Sequence, residues 1–346
     1  MKWCAVMVLA IGFLSARSVE SVHVKKPIPV LLLTALPGSG KSEVRRYLST
    51  LTPKDCLEKF GIGETIEIDD FPYVYMMRRV SDELRDRGHE GMFFLSPAYP
   101  FSQAKNWGTL DHLINEDYRD IVSHKNIKTT SAADWVFKRI DAARIKAGLT
   151  ASFKKLPKKL YKEIARAVEV DAAKLLKDKV AQIEKAQNLD NKTIVIEFSR
   201  GGADSSPMPL PAPYGYKYSL AQLSPELLEN ASILYLWVSP EESRRKNEAR
   251  ANPKDPGSIL NHAVPRAVMY VEYGCDDMDW LVKRSDKPGT VKISAHGKTY
   301  YLPVGRFDNR VDRTTFIHAD QNKWNKKDVH TLREVLKEAF IPLVHN

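Results

Sequence analysis

Cysteine is scarce. The 346 residues hold three, Cys4, Cys56 and Cys275, too few for a disulfide-rich scaffold or a four-cysteine zinc site. Long apolar runs are also missing. The run at residues 3–14, WCAVMVLAIGFL, falls short of the roughly 20 residues that a membrane-spanning helix needs. No internal repeat is visible, and no linker cuts the chain cleanly in two. The guanine-specifying Asn-Lys-x-Asp pattern is absent. Gln321-Asn322-Lys323-Trp324 is near it in letters but lacks the aspartate, which argues against a GTPase. Acidic residues are outnumbered: 43 Asp and Glu against 53 Lys and Arg leave a formal charge of +10. That excess favours anionic partners such as nucleotides, nucleic acid or an acidic membrane surface. With 43% hydrophobic and 28% charged residues, the composition is that of a globular protein.

The N-terminus admits three readings. Lys2, the apolar run and Ala16-Arg17-Ser18 have the layout of a cleaved export signal, in which case the secreted or periplasmic protein starts near Val19. Alternatively, residues 1–26 are an extension of a cytoplasmic protein, or the result of a start codon placed too early.

The sharpest signal follows. Residues 28–34, IPVLLLT, form a continuous apolar run, as expected of a strand covered on both faces. It leads into Ala35-Leu36-Pro37-Gly38-Ser39-Gly40-Lys41-Ser42, and residues 43–48 open a helix. Strand, glycine-rich turn and helix are the context of a phosphate-binding (Walker A) loop. Gly38 and Gly40 let the backbone curl so that successive N–H groups face one anion. The helix start adds its positive end. Lys41 reaches the outer phosphates, and Ser42 offers a hydroxyl to magnesium. The expected nucleotide-binding set is Leu36, Pro37, Gly38, Ser39, Gly40, Lys41 and Ser42, with ATP and Mg2+ as cofactors.

The Leu-Pro-Gly-Ser-Gly-Lys-Ser segment resembles the P-loop kinases of nucleosides, nucleotides and small molecules, and the likeness covers the core segments, about half the chain. Ala35 stands where the strict pattern has glycine, a position that admits either residue in many such proteins. The resemblance implies a three-layer P-loop NTPase core and transfer of the γ-phosphoryl group of ATP to a small-molecule or nucleotide acceptor.

Periodicity supplies the rest of the frame. Further strands are expected at 65–68, 193–198, 233–238 and 315–318, with a hairpin formed by 290–293 and 299–302 around His296. Helices are expected at 75–88, 110–121, 132–146, 160–186 with a break near Val170, from Pro240 onward, and at 326–340. Residues 89–109 and the proline-rich 203–217 read as loops. Alternating buried strands and helices predict an α/β fold whose parallel sheet is helix-covered. About 125 residues separate the second and third strands, which predicts a helical insertion at about 72–190 within a domain of residues 27–346. The hairpin region, about 285–305, reads as a C-terminal elaboration.

Several groups of side chains are candidates for the site, and in open parallel sheets ligands gather beyond the carboxyl ends of the strands. Asp69 and Asp70 follow the second strand. In the kinases that the chain resembles, an acidic residue near this position receives the acceptor's proton or orients it. Strand alternation puts the two on opposite sides, and Asp70, farther past the strand, ranks first; the competing reading is a helix cap. Glu197 lies in an apolar strand, where a carboxylate is costly without a partner, and can hold magnesium through water. Its Glu-x-Ser-Arg run is loosely similar to the Glu-Arg-Ser ending of deoxynucleoside kinases, with Arg and Ser swapped; Arg200 is a phosphate contact in this reading. Arg244, Arg245 and Arg250, with Asn247, resemble the arginine-bearing lid of nucleotide kinases. There Arg244 and Arg250 act on the transferring phosphoryl group and Arg245 on the nucleotide; the competing reading is an exposed basic helix. Lys154, Lys155, Lys158, Lys159 and Lys162, beside Phe153 and Tyr161, form the densest basic patch. It suits nucleic acid or, more simply, a solvated helix start. Residues 272–280 are aromatic and acidic and read as cleft packing without assigned chemistry. Two rival functions remain: a polynucleotide-end kinase, and a regulatory or toxin-like nucleotide-binding protein.

Overall fold

The computed structural model of the chain describes residues 26–249 and 263–344. The expected N-terminal signal or extension, apart from Lys26, lies outside them, as does Arg250. Twelve helices and one six-stranded sheet make up the described residues. None of the helices is long and apolar enough to cross a membrane.

The chain opens with β1 (Val30–Thr34), buried at every position, then α1 (Lys41–Ser49) and α2 (Pro53–Phe60). Thr52 caps α2 by accepting the Asp55 N–H, and Gly61 ends it in the left-handed region, φ 63°. β2 (Glu64–Asp69) passes directly into α3 (Phe71–Asp86). This helix starts earlier than the spacing predicts. Pro72 falls in the first turn, where a missing N–H costs nothing, so it starts the helix as well as stopping the strand. Next come α4 (Asn106–Val122), α5 (Ala132–Lys146) and α6 (Lys158–Lys185). α6 runs unbroken for 28 residues. Leu160, Ile164, Val168, Ala172, Leu175, Lys179 and Ile183 form one buried stripe along it, and Val170 is on the solvent face, 82% exposed. A lone apolar residue off the stripe therefore mimics a break.

β3 (Lys192–Phe198) follows, then α7 (Gly215–Gln222), α8 (Pro225–Asn230), β4 (Ala231–Trp237) and α9 (Pro240–Ala249). The chain closes with α10 (Arg266–Val271), α11 (Met278–Arg284), β5 (Thr290–Ala295), β6 (Lys298–Asp308) and α12 (Lys326–Val344).

The sheet order is β2-β3-β1-β4-β6-β5. The first five strands pair in parallel, and β5 pairs antiparallel with β6 at the edge. The hairpin is thus part of the main sheet. β6 pairs with β5 over its first half and from Val304 onward lies parallel to β4. Residues 315–318 form a turn of 3-10 helix where a strand was expected. The far side of β6 is already taken by β5, and the segment meets its backbone needs locally, Ile317 N–H to Thr314 O at 3.0 Å.

Both sheet faces are covered. Leu31, Leu33, Val195, Leu234 and Phe307 pack under α1, α2 and α12. Val30, Leu32, Ile66, Ile196 and Ile233 pack under α4, α7, α8 and α11 on the other face. A third apolar cluster joins α3, α4, α5 and α6 between β2 and β3. The result is an α/β layering in which the carboxyl ends of β2, β3, β1 and β4 share one edge.

Candidate functional site

The turn after β1 sits at that edge. Gly38 and Gly40 adopt φ of 71° and 100°, the left-handed region that a side chain disfavours. The turn is wedged from two sides. From α9, Ser243 Oγ donates to Pro37 O at 2.7 Å; from the segment after β6, Asn309 Nδ2 donates to Ser39 O at 2.8 Å. A Cβ on Gly38 would lie 2.8 Å from Ser243 O and 2.9 Å from Asn247 N. Tyr216, fully buried, accepts the Ala35 N–H at 2.8 Å and the Arg200 N–H at 3.2 Å, tying the ends of β1 and β3 together. Lys41 begins α1 at this turn. Its Nζ donates to Ser199 Oγ at 2.8 Å and lies 4.0 Å from Glu197 Oε1. Ser39 Oγ is buried with no hydrogen-bond partner among the described residues.

Carboxylates face this lysine. The β2–β3 register sets Asp69 opposite Glu197. Glu197 is bound by Arg45 at 2.6 Å, and Arg45 also pairs with Glu67. The partner that a buried carboxylate requires thus comes from α1. Asp69 Oδ1 accepts the Phe71 N–H at 2.8 Å, a capping role. Asp70 has left the strand conformation, with φ −86° and ψ −16°. The alternation ends at Asp69, and both aspartates border one cleft where opposite sides were expected. Asp70 Oδ2 is held by Arg200 Nη1 at 2.6 Å, and Arg200 Nη2 holds Asp111 Oδ1 at 2.6 Å. The guanidinium also lies over the rings of Trp107 and Phe198 at 5.0 and 5.1 Å. Arg200 is 1% exposed, so it acts as an anchor for Asp70.

Burial, then the charges of Glu197 and Asp70, push the Asp69 carboxyl up to about 7. Burial also raises Asp70, opposed by Arg200 and Lys41. Burial works against the Arg200 charge, but Asp111 and Asp70 outweigh it and lift its pKa above the ordinary value.

These groups border a cleft of about 830 Å3, counting space open to solvent. Pro37, Lys41, Ser42, Asp69, Asp70 and Glu197 form one wall. Phe94, Trp107 and Tyr273 add an aromatic wall, together with Arg78 and Glu272. The aromatic, acidic segment flagged at 272–280 does reach the cleft, through its first two residues. Leu36 is in the apolar core, supporting the turn from below. Arg244 and Arg245 are not among the lining residues. Arg244 lies over the Tyr270 ring at 4.6 Å and 3.3 Å from Glu241; Arg245 is exposed and bound to Glu242 at 2.7 Å. Asn247 pins Val264, whose N–H it accepts at 2.8 Å. Sequence reasoning passed over Arg78, Trp107, Asn309 and Thr314, which carry no local motif and meet the site only through the fold. Among the described residues, no group of three or more His, Cys, Asp or Glu is arranged to hold a metal ion alone.

No protein-family model matches the chain, and no curated protein matches it.

Proposed function

We propose that the chain is an ATP-dependent phosphotransferase of the P-loop kinase type, moving the γ-phosphoryl group to a hydroxyl of an acceptor held in the cleft. One observation carries this reading: Lys41 and Ser42, at the start of the helix after the glycine turn, border the same cleft as Asp69, Asp70 and Glu197. The parallel sheet with the turn after its third strand in spatial order supports a P-loop NTPase core, and ligands bind beyond such strand ends in sheets of this kind.

The residues fit magnesium–ATP. Magnesium is commonly held by one or two carboxylates together with phosphate oxygens and water, so the lack of an all-protein cage among the described residues agrees with it. Ser42 would hold the ion directly and Glu197 through water. Bound magnesium would neutralise charge developing on the phosphoryl oxygens. The turn at 37–40 would cradle the phosphates with its N–H groups, and the orphaned Ser39 Oγ adds a polar group beside it. Lys41 would exchange Ser199 for an outer phosphate oxygen. Asp69 moves ahead of Asp70 as the group that takes the acceptor proton: burial and the charges of Glu197 and Asp70 raise its proton affinity, and Asp70 is committed to Arg200. Asp70 then orients the acceptor. Such a base contributes roughly 10²–10⁴-fold, the low end being expected for a loose transition state.

The nucleic-acid-end alternative required the lysine patch and the turn to share a groove. Lys154, Lys158 and Lys162 border a separate depression with Tyr161, and a small-molecule acceptor is the reading proposed. The test is transfer of labelled phosphate from ATP by the full chain to a panel of hydroxylated metabolites and oligonucleotides. Labelling of a small acceptor, lost in Lys41→Ala, is the expected result; labelling of oligonucleotides alone would favour the alternative, and no labelling of anything would contradict both.

A further inference from the structure

The aromatic wall carries a cation that makes no ion pair among the described residues, although the charges of Glu272 and Asp82 act on it at longer range. Arg78, on α3, borders the cleft. Its Nη1 donates to Pro97 O at 3.0 Å, and the guanidinium lies 4.1 Å over the Phe94 ring. Among the described residues its buried Nε has no hydrogen-bond partner, and no carboxylate lies within ion-pair distance. The other enclosed guanidinium groups are supplied differently. Arg45 has Glu197 and Glu67, Arg139 has Asp117 and Asp120, and Arg200 has Asp70 and Asp111; the Nε atoms of Arg45 and Arg139 also lack a hydrogen-bond partner among the described residues, so the difference at Arg78 is the missing carboxylate. Arg144 lacks a carboxylate but bonds Thr150 O, Asn106 and Gln103. Leaving donors of a charged group unmatched in such a place costs free energy, and arginine's fork suits a carboxylate or phosphate.

Glu272 does not cancel this charge. It is 3% exposed, and its Oε1 accepts the Trp107 indole N–H at 3.1 Å. Burial, opposed by Trp107 and Arg78, pushes its carboxyl up to about 7, so near neutral pH it is partly uncharged. Beside Arg78 the wall is built of aromatic rings set at mixed angles. Phe94 stacks on Phe101 at 4.5 Å, Phe101 meets Trp107 edge-on at 5.3 Å, and Trp107 meets Tyr273 at 5.7 Å.

We infer that the acceptor is a ring-bearing or flat apolar molecule with an anionic group, a carboxylate or a phosphate monoester, and that Arg78 is the specificity residue that holds this group while the aromatic wall packs the ring. The inference rests on the phosphotransferase reading only for the word acceptor; the anion subsite stands on the wall itself.

The test is calorimetric titration of the full chain with matched probes. Benzoate and phenyl phosphate carry ring and anion, benzamide and phenol the ring alone, and inorganic phosphate the anion alone. The expected result is that the charged ring probes bind about tenfold or more tightly than their neutral partners, the weight of one charge-assisted hydrogen bond. Comparing benzoate with phenyl phosphate tells which anion the subsite takes. Arg78→Met keeps the apolar stem over Phe94 and should abolish the preference; Arg78→Lys should retain part of it, which excludes misfolding as the cause. Equal or undetectable binding of charged and neutral probes by the unmodified chain, or a full preference surviving in Arg78→Met, would overturn the inference. Magnesium–ATP is titrated alongside. Anion preference in a protein that does not bind magnesium–ATP would support the subsite and overturn the phosphotransferase reading, so the two failures are distinguishable.

Discussion

Single side chains divide into those that hold the site and those that would react. Asp70 belongs to the first kind through its buried bond to Arg200. Asp70→Asn leaves a buried guanidinium with Asp111 as its remaining carboxylate, and should cost about 3 kcal/mol in urea unfolding. Asp69→Asn removes a charge that Glu197 and Asp70 already oppose. It should leave stability unchanged or slightly raised while lowering turnover by about 10²-fold. The reverse ranking of the two variants would return Asp69 to a capping role. Glu272 supplies a pH test. Its folded pKa, about 7 against an ordinary 4.5, means that the folded chain binds more protons between those values. Stability is therefore lost as pH rises from about 4.5 to about 7. Glu272→Gln removes that loss, so the variant should be the more stable one at pH 8, by on the order of 3 kcal/mol at most, with the advantage gone near pH 4. Thermal melts across that range decide it; a constant difference at every pH would mean that the Glu272 carboxyl does not titrate in this window. At this scale the sequence shows Lys41, Ser42, Asp69, Asp70 and Glu197, because each stands in or just after a strand-end motif. Arg78 and Trp107 lie inside α3 and α4, where nothing in the local spacing separates a cleft residue from a helix-surface one.

Elements bring the glycine turn into shape from outside it. α9 was expected to work as an arginine lid, yet it presses its Ser243–Asn247 backbone on Gly38, and its arginines point to Glu241, Glu242 and Tyr270. A helix so placed acts as a clamp on the glycine turn. Gly38→Ala adds a methyl against the backbone of α9 and demands a left-handed φ from a residue that resists it. Expected are a loss of about 2 kcal/mol in stability and a fall in magnesium–ATP affinity, the first read by thermal melts and the second by calorimetry. Unchanged values in both would show that the turn is not gripped. The longer helices were legible from apolar spacing, as α5 shows by matching residue for residue, whereas the short helices α2, α7, α8, α10 and α11 carry too few turns to show a period and were not read. Boundaries were not legible where capping chemistry was ambiguous, as at Pro72, or where a loop-like stretch hid the first turn of α4 at Asn106.

Across the whole molecule, strand order decides which ends meet. Alternating buried strands reveal a parallel sheet, but not that β6 would extend beyond its hairpin to pair with β4. That pairing is what brings Asn309 and Thr314 to the glycine turn. It depends on α12 lying close on β6, and Gly305 marks the approach: a Cβ there would lie 1.8 Å from Ala339 O. Gly305→Ala should push α12 off the sheet, costing about 3 kcal/mol by denaturant unfolding; a neutral effect would mean that the helix can shift freely. The central claim is that this edge of the sheet binds magnesium–ATP through Lys41. Calorimetric titration of magnesium–ATP into the full chain and into Lys41→Ala tests it most directly. Saturable binding by the first, weakened at least about tenfold in the second with the melting transition preserved, is the predicted result; no binding by the first, or equal affinity in both, would contradict it.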